Sequence, residues 1–192
     1  MAIGHEGTKV RLRPFEAADL DRTWQWRNDP ALRDAILGHP YPVQRSVEAA
    51  WWASVGAGEP PSRIAWIVEE LESREAVGIA QLARIDWIAR SAHFGLLVGE
   101  PSRRGHGLGE EALRLLLDVG FRRLQLHKIL CEVDAANGQA LSLYRRAGFA
   151  DEGLHREHCF QNGAWIDVAV LALFARDLRD PAPTGEKPAP RR

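Results

Sequence analysis

Apolar and polar residues alternate in "KVRLRPF", where Val10 and Leu12 sit among basic residues and Pro14 ends the run, so a first β-strand and a turn are predicted. The period lengthens over "EAADLDRTWQWRNDP". There Leu20, Trp24 and Arg27 recur at helical spacing up to the break at Asn28-Asp29-Pro30. A shorter helical piece, "ALRDAIL", follows, and a helix carrying Trp51 and Trp52 is expected to start at Ser46 as its N-cap. "RIAWIVEE" and "AVGIAQLARID" around the polar "LESRE" read as a hairpin, and "AHFGLLVGE" as a fourth strand. Beyond it, Ala112, Leu115, Leu116 and Val119 form an apolar stripe that Leu113, Leu117 and Leu124 widen, which predicts a largely buried helix. "HKILCEVDA" is the fifth strand, and "NGQALSLYRRAGF" a short helix capped by Asn137 and stopped at Gly148. The last two strands flank Gln161-Asn162-Gly163, and Asn-Gly is a strong hairpin signal. Together these elements predict an α+β protein, a mostly antiparallel sheet with one strand-helix-strand passage in its middle.

A chain of 192 residues, 45% of them hydrophobic, can bury one sizeable core. No composition break divides it. Residues 9–178 are expected as one domain, between a flexible N-terminus (1–8) and a disordered Pro-rich tail (179–192). The 25 Lys and Arg nearly balance the 26 Asp and Glu, so the broad basic face of a dedicated nucleic-acid binder is absent and a small-molecule or protein partner is favoured. Cys131 and Cys159 fit no metal-ligand spacing and imply no disulfide framework, which points to a reducing, cytoplasmic compartment. His155 and His158, three apart on a predicted strand, are expected on opposite faces, with no metal or catalytic role. No apolar stretch approaches the roughly 20 residues of a membrane helix.

Between the fourth strand and the buried helix, "PSRRGHGLGEEAL" places glycines at 105, 107 and 109. A turn that leads into a helix leaves unpaired backbone N–H groups there. Glycine lets that backbone approach a ligand, and the helix dipole favours an anion such as phosphate. Arg103 and Arg104 add positive charge beside it. Two common phosphate motifs fail on spacing. G-x-G-x-x-G would need glycine where Glu110 stands, and the P-loop's Gly-Lys followed by Ser or Thr is absent, so a nucleotide-binding regulator has no motif support.

Arg104-x-x-Gly107-x-Gly109 resembles the pyrophosphate-binding signature of the GCN5-related N-acetyltransferase superfamily: Gln or Arg, two residues, Gly, one residue, then Gly or Ala. One strand further on, the spacing of Asn137, Ala140, Leu143, Tyr144, Gly148 and Phe149 is similar to that superfamily's second motif. "VRLRPFEAADL", "GLGEEAL", "GFADEG" and "NGAWIDVAVLALF" extend the likeness over residues 9–178, toward ribosomal-protein N-terminal acetyltransferases and polyamine acetyltransferases. The resemblance implies that the sheet opens in a V-shaped splay between its fourth and fifth strands and is flanked by helices.

It also implies acetyl-CoA as cosubstrate, no metal, and transfer of the acetyl group to a primary amine by direct attack in a ternary complex. The acceptor is left open among a protein N-terminus, a polyamine, an aminoglycoside and an amino sugar; a homodimer is compatible, and neither nucleic acid nor membrane is implied. By the same resemblance Arg103, Arg104, Gly105, His106, Gly107, Leu108 and Gly109 cradle the pyrophosphate, and Leu97 and Val98 bind pantetheine and polarise the thioester carbonyl. Asn137 would bond a pantetheine amide, although a helix N-cap explains it equally well. Tyr144 matches the residue that protonates the departing thiolate, a phenol of about 10 facing a thiol of roughly 8.5; a place in the core is its alternative. His93, Asp86 and Glu100 are the candidates for the base, His93 standing where related sequences often have an acid. Trp26, Trp51, Trp52 and Trp87 are candidates for an aromatic wall around the acceptor, with Trp24 expected in the core. The competing function is a catalytically silent CoA-binding sensor or interaction protein.

Overall fold

The computed structural model describes residues 5–38 and 40–178. Its strands are β1 (His5–Glu6), β2 (Val10–Arg13), β3 (Ile64–Glu70), β4 (Ala76–Asp86), β5 (Ser91–Val98), β6 (Lys128–Asp134), β7 (Ala150–Gln161) and β8 (Ala164–Phe174). They form one sheet in the order β1-β2-β3-β4-β5-β6-β8-β7, antiparallel throughout except for β5 and β6. The expected fourth and fifth strands are therefore β5 and β6. The extra strand comes from residues 5 and 6, expected as part of a flexible end, which pair with β2 through His5 opposite Leu12 and Glu6 opposite Arg11. Residues 1–4 and the tail 179–192 lie outside the described residues.

Helices cover both faces. α1 (Leu20–Asn28), α2 (Pro30–Ala35) and α3 (Arg45–Ser54) bury Trp26, Leu32 and Trp52 against Ile67, Ile79 and Leu97 on one side. On the other side α4 (Leu108–Asp118) and α5 (Gly138–Arg146) pack Ala112, Leu113, Leu116 and Leu141 onto Val68, Leu82, Phe94 and Ile129. The apolar stripe read from the sequence is this second interface. α3 starts before Ser46, because the N–H groups of Val47 and Glu48 already bond the carbonyl of Gln44, which is the N-cap. The β7–β8 hairpin turns on Asn162 and Gly163, both at positive φ (50° and 82°), the geometry that suits the sheet's twist. Among the described residues no helix is long and apolar enough to cross a membrane.

One carboxylate ties the N-terminal segment to α4. Glu111 accepts from Thr8 N and Oγ1 (2.8 and 2.7 Å), Lys9 N (2.6 Å) and Val10 N (2.9 Å). Burial by itself would raise its pKa, but these hydrogen bonds outweigh it and hold the carboxyl below its ordinary 4.5. Its contribution is therefore complete above that value and drains away as the pH falls through the lowered one. Glu111→Gln should cost about 2–3 kcal/mol at pH 7, a melting-temperature loss of roughly 4–12 °C. In calorimetry the gap to the parent protein should narrow as the pH is lowered below 4.5. A gap constant down to pH 3 would remove the carboxylate from this account.

Candidate active site

The site begins where β5 and β6 part. Their pairing runs only from Ser91 opposite Lys128 to His93 opposite Leu130, so the rest of β5 has no neighbour on that side. Gly99 N donates to Val77 O (2.8 Å), opposite it in the β4–β5 register. Counting back by twos, the backbone groups of Leu97 also face β4, whereas those of Leu96 and Val98 face the opening. Of the pair expected to meet pantetheine, Val98 turns its backbone groups to the opening, as Leu96 does, while those of Leu97 are turned to β4. The β4–β5 pairing is interrupted by a bulge on β4, at Arg84 (φ 49°) between Ala83 and Asp86.

Two chambers open from the splay. The first, of about 350 Å³, is lined by Val98, Arg103, Arg104, Gly105, Gly107, Gly109, Asn137 and Tyr144. The second, of about 370 Å³, is lined by Arg27, Trp51, Arg63, Arg84, His93, Glu132 and Tyr144. They share Ala35, Ile36, Leu96, Leu97 and Tyr144.

The glycine loop gives the first chamber its chemistry. Gly105 and Gly107 adopt φ of 80° and 81°, a region costly for other residues, and Gly107 is the N-cap of α4. Among the described residues no acceptor takes the N–H groups of Gly105, His106 or Gly107, or those of Leu108, Gly109 and Glu110 in the first turn. Six donors and the positive end of a helix fit a diphosphate. The side chains divide differently. Leu108 is core (4% exposed) and His106 does not line the chamber, so these two offer backbone only. Arg103 leans to Glu70 (3.3 Å), and Arg104 Nε donates to Val98 O (3.3 Å). Lys9, unforeseen from the sequence, donates to His106 O (3.0 Å), 97 positions away along the chain. Asn137 caps α5 through Oδ1 to Ala140 N (3.0 Å), leaving its amide N–H groups for a ligand; both expected roles are compatible.

Tyr144 stands between the chambers, its ring edge-on to Phe94 (5.0 Å). Burial, with the thiol of Cys131 close by, holds its phenol well above the ordinary value. The same burial pushes Cys131 up to about 12. Desolvation penalises phenolate and thiolate alike, so burial raises both groups in the same direction. Cys131, protonated at neutral pH, is no nucleophile.

Among the proposed bases only His93 reaches a chamber. Burial, then Arg84, lowers its pKa; Glu132, 3.9 Å from Nδ1, opposes this, and Lys128 adds to the lowering. The ring is neutral at pH 7 and able to accept a proton. Asp86 instead closes the β4–β5 turn, accepting from Ile88 N (2.9 Å) and Ala89 N (2.8 Å). Glu100 accepts from Trp26 Nε1 (3.3 Å). Trp26 is core, 5% exposed against Gly99, and Trp24 is the half-buried one, the reverse of the expected helix phase. Trp52 is also buried, donating to Glu48 (3.0 Å) and stacked on Phe15, while Trp87 donates to Pro61 O (2.8 Å). Of the four wall candidates only Trp51 lines the second chamber. His155 and His158 do not face apart: a bulge with Glu157 at φ 50° brings their rings into a stack at 4.9 Å. No third ligand joins them among the described residues.

A mostly antiparallel sheet split beside a glycine-capped helix, with a phenol at the fork, defines an acetyltransferase architecture. The chain belongs to the acetyltransferase (GNAT) domain family, whose model matches residues 9–150, and is an N-acetyltransferase that uses acetyl-CoA. It is 35% identical to the spermidine N(1)-acetyltransferase of Vibrio cholerae over 167 residues, 87% of this chain and 94% of that one. It is 28% identical to the enzyme of the same name from Escherichia coli K12, over 86% of each chain. A crystal structure of the Vibrio cholerae spermidine N-acetyltransferase in complex with CoA and spermine superposes with a TM-score of 0.82 at 26% identity, covering 89% of this chain and 98% of that one.

Proposed function

We propose that the protein moves the acetyl group of acetyl-CoA onto a primary amine by direct attack, with donor and acceptor bound together in the two chambers. The observation that carries this is Tyr144, which lines both chambers at the point where β5 and β6 part. The glycine loop holds the pyrophosphate, and the bound thioester supplies the activated acetyl group. The backbone N–H of Val98 faces the opening, where it can stabilise charge growing on the carbonyl oxygen, a contribution of about 3–4 kcal/mol. His93 takes the proton of the amine and Tyr144 donates one to the leaving sulfur. With Cys131 protonated, no acyl-enzyme is needed.

The test is release of CoA thiol with a panel of amines. Saturable CoA binding with no release from any amine would favour the silent sensor instead, and absence of CoA binding would sink both. In Tyr144→Phe, which keeps the ring contacts, turnover should fall about tenfold or more while calorimetric CoA affinity changes little. Unchanged turnover would return Tyr144 to a packing role.

A second reading narrows the acceptor to a polyamine. The spermidine acetyltransferases among its relatives favour it. A dodecameric form is known for the Vibrio cholerae enzyme, and self-association of this chain, as a dimer or larger, belongs to the same proposal.

A further inference from the structure

The charges of the acceptor chamber do not suit a polycation. Among the described residues Glu132 is the only carboxylate that lines it, and Arg84 Nη1 already lies 3.3 Å from that carboxylate. The indole of Trp51, the one aromatic of the expected wall that lines the chamber, is covered by the protein's own cations. The Arg27 guanidinium carbon is 4.4 Å from the ring centroid and that of Arg63 is 5.6 Å from it. Only one of these two has a counterion. Arg27 Nε meets Glu48, a fully buried carboxylate, at 3.0 Å. Arg63 makes no ion pair among the described residues, and its buried Nε has no hydrogen-bond acceptor. A half-buried guanidinium that lines a chamber without a counterion is costly to the free protein, and an anion bound to it there would relieve that cost. Guanidinium planes match carboxylate and phosphate oxygens in a way a lone ammonium does not.

We infer that the acceptor is an amine that also carries an anionic group, a carboxylate or a phosphate, which Arg63 and Arg27 bind at the Trp51 end of the chamber while the amine points to His93 and Tyr144. This rests on the transfer reading above and names its substrate class. Spermidine, with cationic groups only, is then a poor acceptor.

Matched amines that differ in the anion alone test it: a glycyl dipeptide against its C-terminal amide, and ethanolamine phosphate against ethanolamine, with spermidine alongside. Thiol release is read for the parent protein and for Arg63→Gln, and calorimetry reads binding of the same amines to the protein–CoA complex. At least one anionic member should exceed its neutral partner by tenfold or more in kcat/KM, and Arg63→Gln should shrink that ratio to below threefold. The pair that shows the preference distinguishes carboxylate from phosphate. Turnover with spermidine or the neutral members equal to or above the anionic ones overturns the inference and leaves the transfer reading standing. Arg63-dependent binding of the anionic members without release from any amine does the reverse, and neither binding nor release removes both. Arg27→Lys, which keeps the charge facing Glu48 but loses the planar fork, should give an intermediate ratio; should Arg63→Gln fail to fold, loss of the anion preference in Arg27→Lys carries the test, and a preference kept in full overturns the inference.

Discussion

His93→Gln should lower kcat/KM by about 100-fold at pH 7, the scale of a lost general base, while leaving CoA affinity intact. The pH profile is the sharper readout. Burial, then Arg84, depresses the pKa of His93, so the free imidazole is the dominant form down to a pH below 6.5. As the pH falls through that lowered value the ring gains its proton and catalysis is lost. The parent enzyme should therefore show two rising limbs, one with its midpoint below 6.5 from His93 and one at high pH from the acceptor amine. Glutamine keeps similar size and polarity but does not titrate, so the acid limb should vanish and the alkaline limb remain. An acid limb that persists unchanged in the variant would assign it to another group and take His93 out of the reaction.

How much of this site could be read from the sequence follows from how local each feature is. The glycine loop is local: positive φ at 105 and 107, a helix start at 108 and flanking arginines are written in consecutive letters, and the structure assembles them in one turn. Asn137 and the Asn162-Gly163 turn are legible for the same reason. Side-chain direction is not local. The phase of α1 is set by Trp26 packing on Gly99, a residue more than 70 positions later, so the sequence alone put the wrong tryptophan in the core. Bulges have the same effect on strands. One at Arg84 interrupts the alternation of β4, and another in β7 puts His155 and His158 side by side where strict alternation separates them. Lys9 and Glu111 left no signal, because one sits just ahead of β2 and the other on a helix about 100 residues later. Glu48 in particular, a charged residue in an amphipathic helix, gives no hint that it is fully buried against Arg27 and Trp52. The conformation of the glycine loop was thus readable and the lining of the second chamber was not, since only the second is built from residues that meet through folding.

Gly107→Val should weaken CoA binding by roughly 10- to 100-fold and carry turnover at low acetyl-CoA down with it. Valine at φ 81° is strained by about 1–3 kcal/mol, and the free loop would relax to escape that strain. Binding would then have to restore the left-handed turn that aims the N–H groups of Gly107 and Leu108 at the ligand, so the strain reappears as lost affinity. The new Cβ would also come within 3.2 Å of Lys9 Nζ and push away a cation that stands beside the loop. The core of α4 is untouched, because Leu108 and Ala112 anchor the helix independently of its cap. The signature is therefore a raised Kd for CoA in calorimetry, with kcat at saturating acetyl-CoA reduced far less and the melting temperature lowered by only a few degrees. Gly105→Val separates conformation from contact: its φ of 80° imposes the same strain, but nothing lies within 4 Å of its Cβ. Equal losses in the two variants would trace the effect to backbone conformation, and a larger one at Gly107 would trace the excess to Lys9 and the helix cap. A Kd within threefold of the parent value in Gly107→Val would place the pyrophosphate elsewhere.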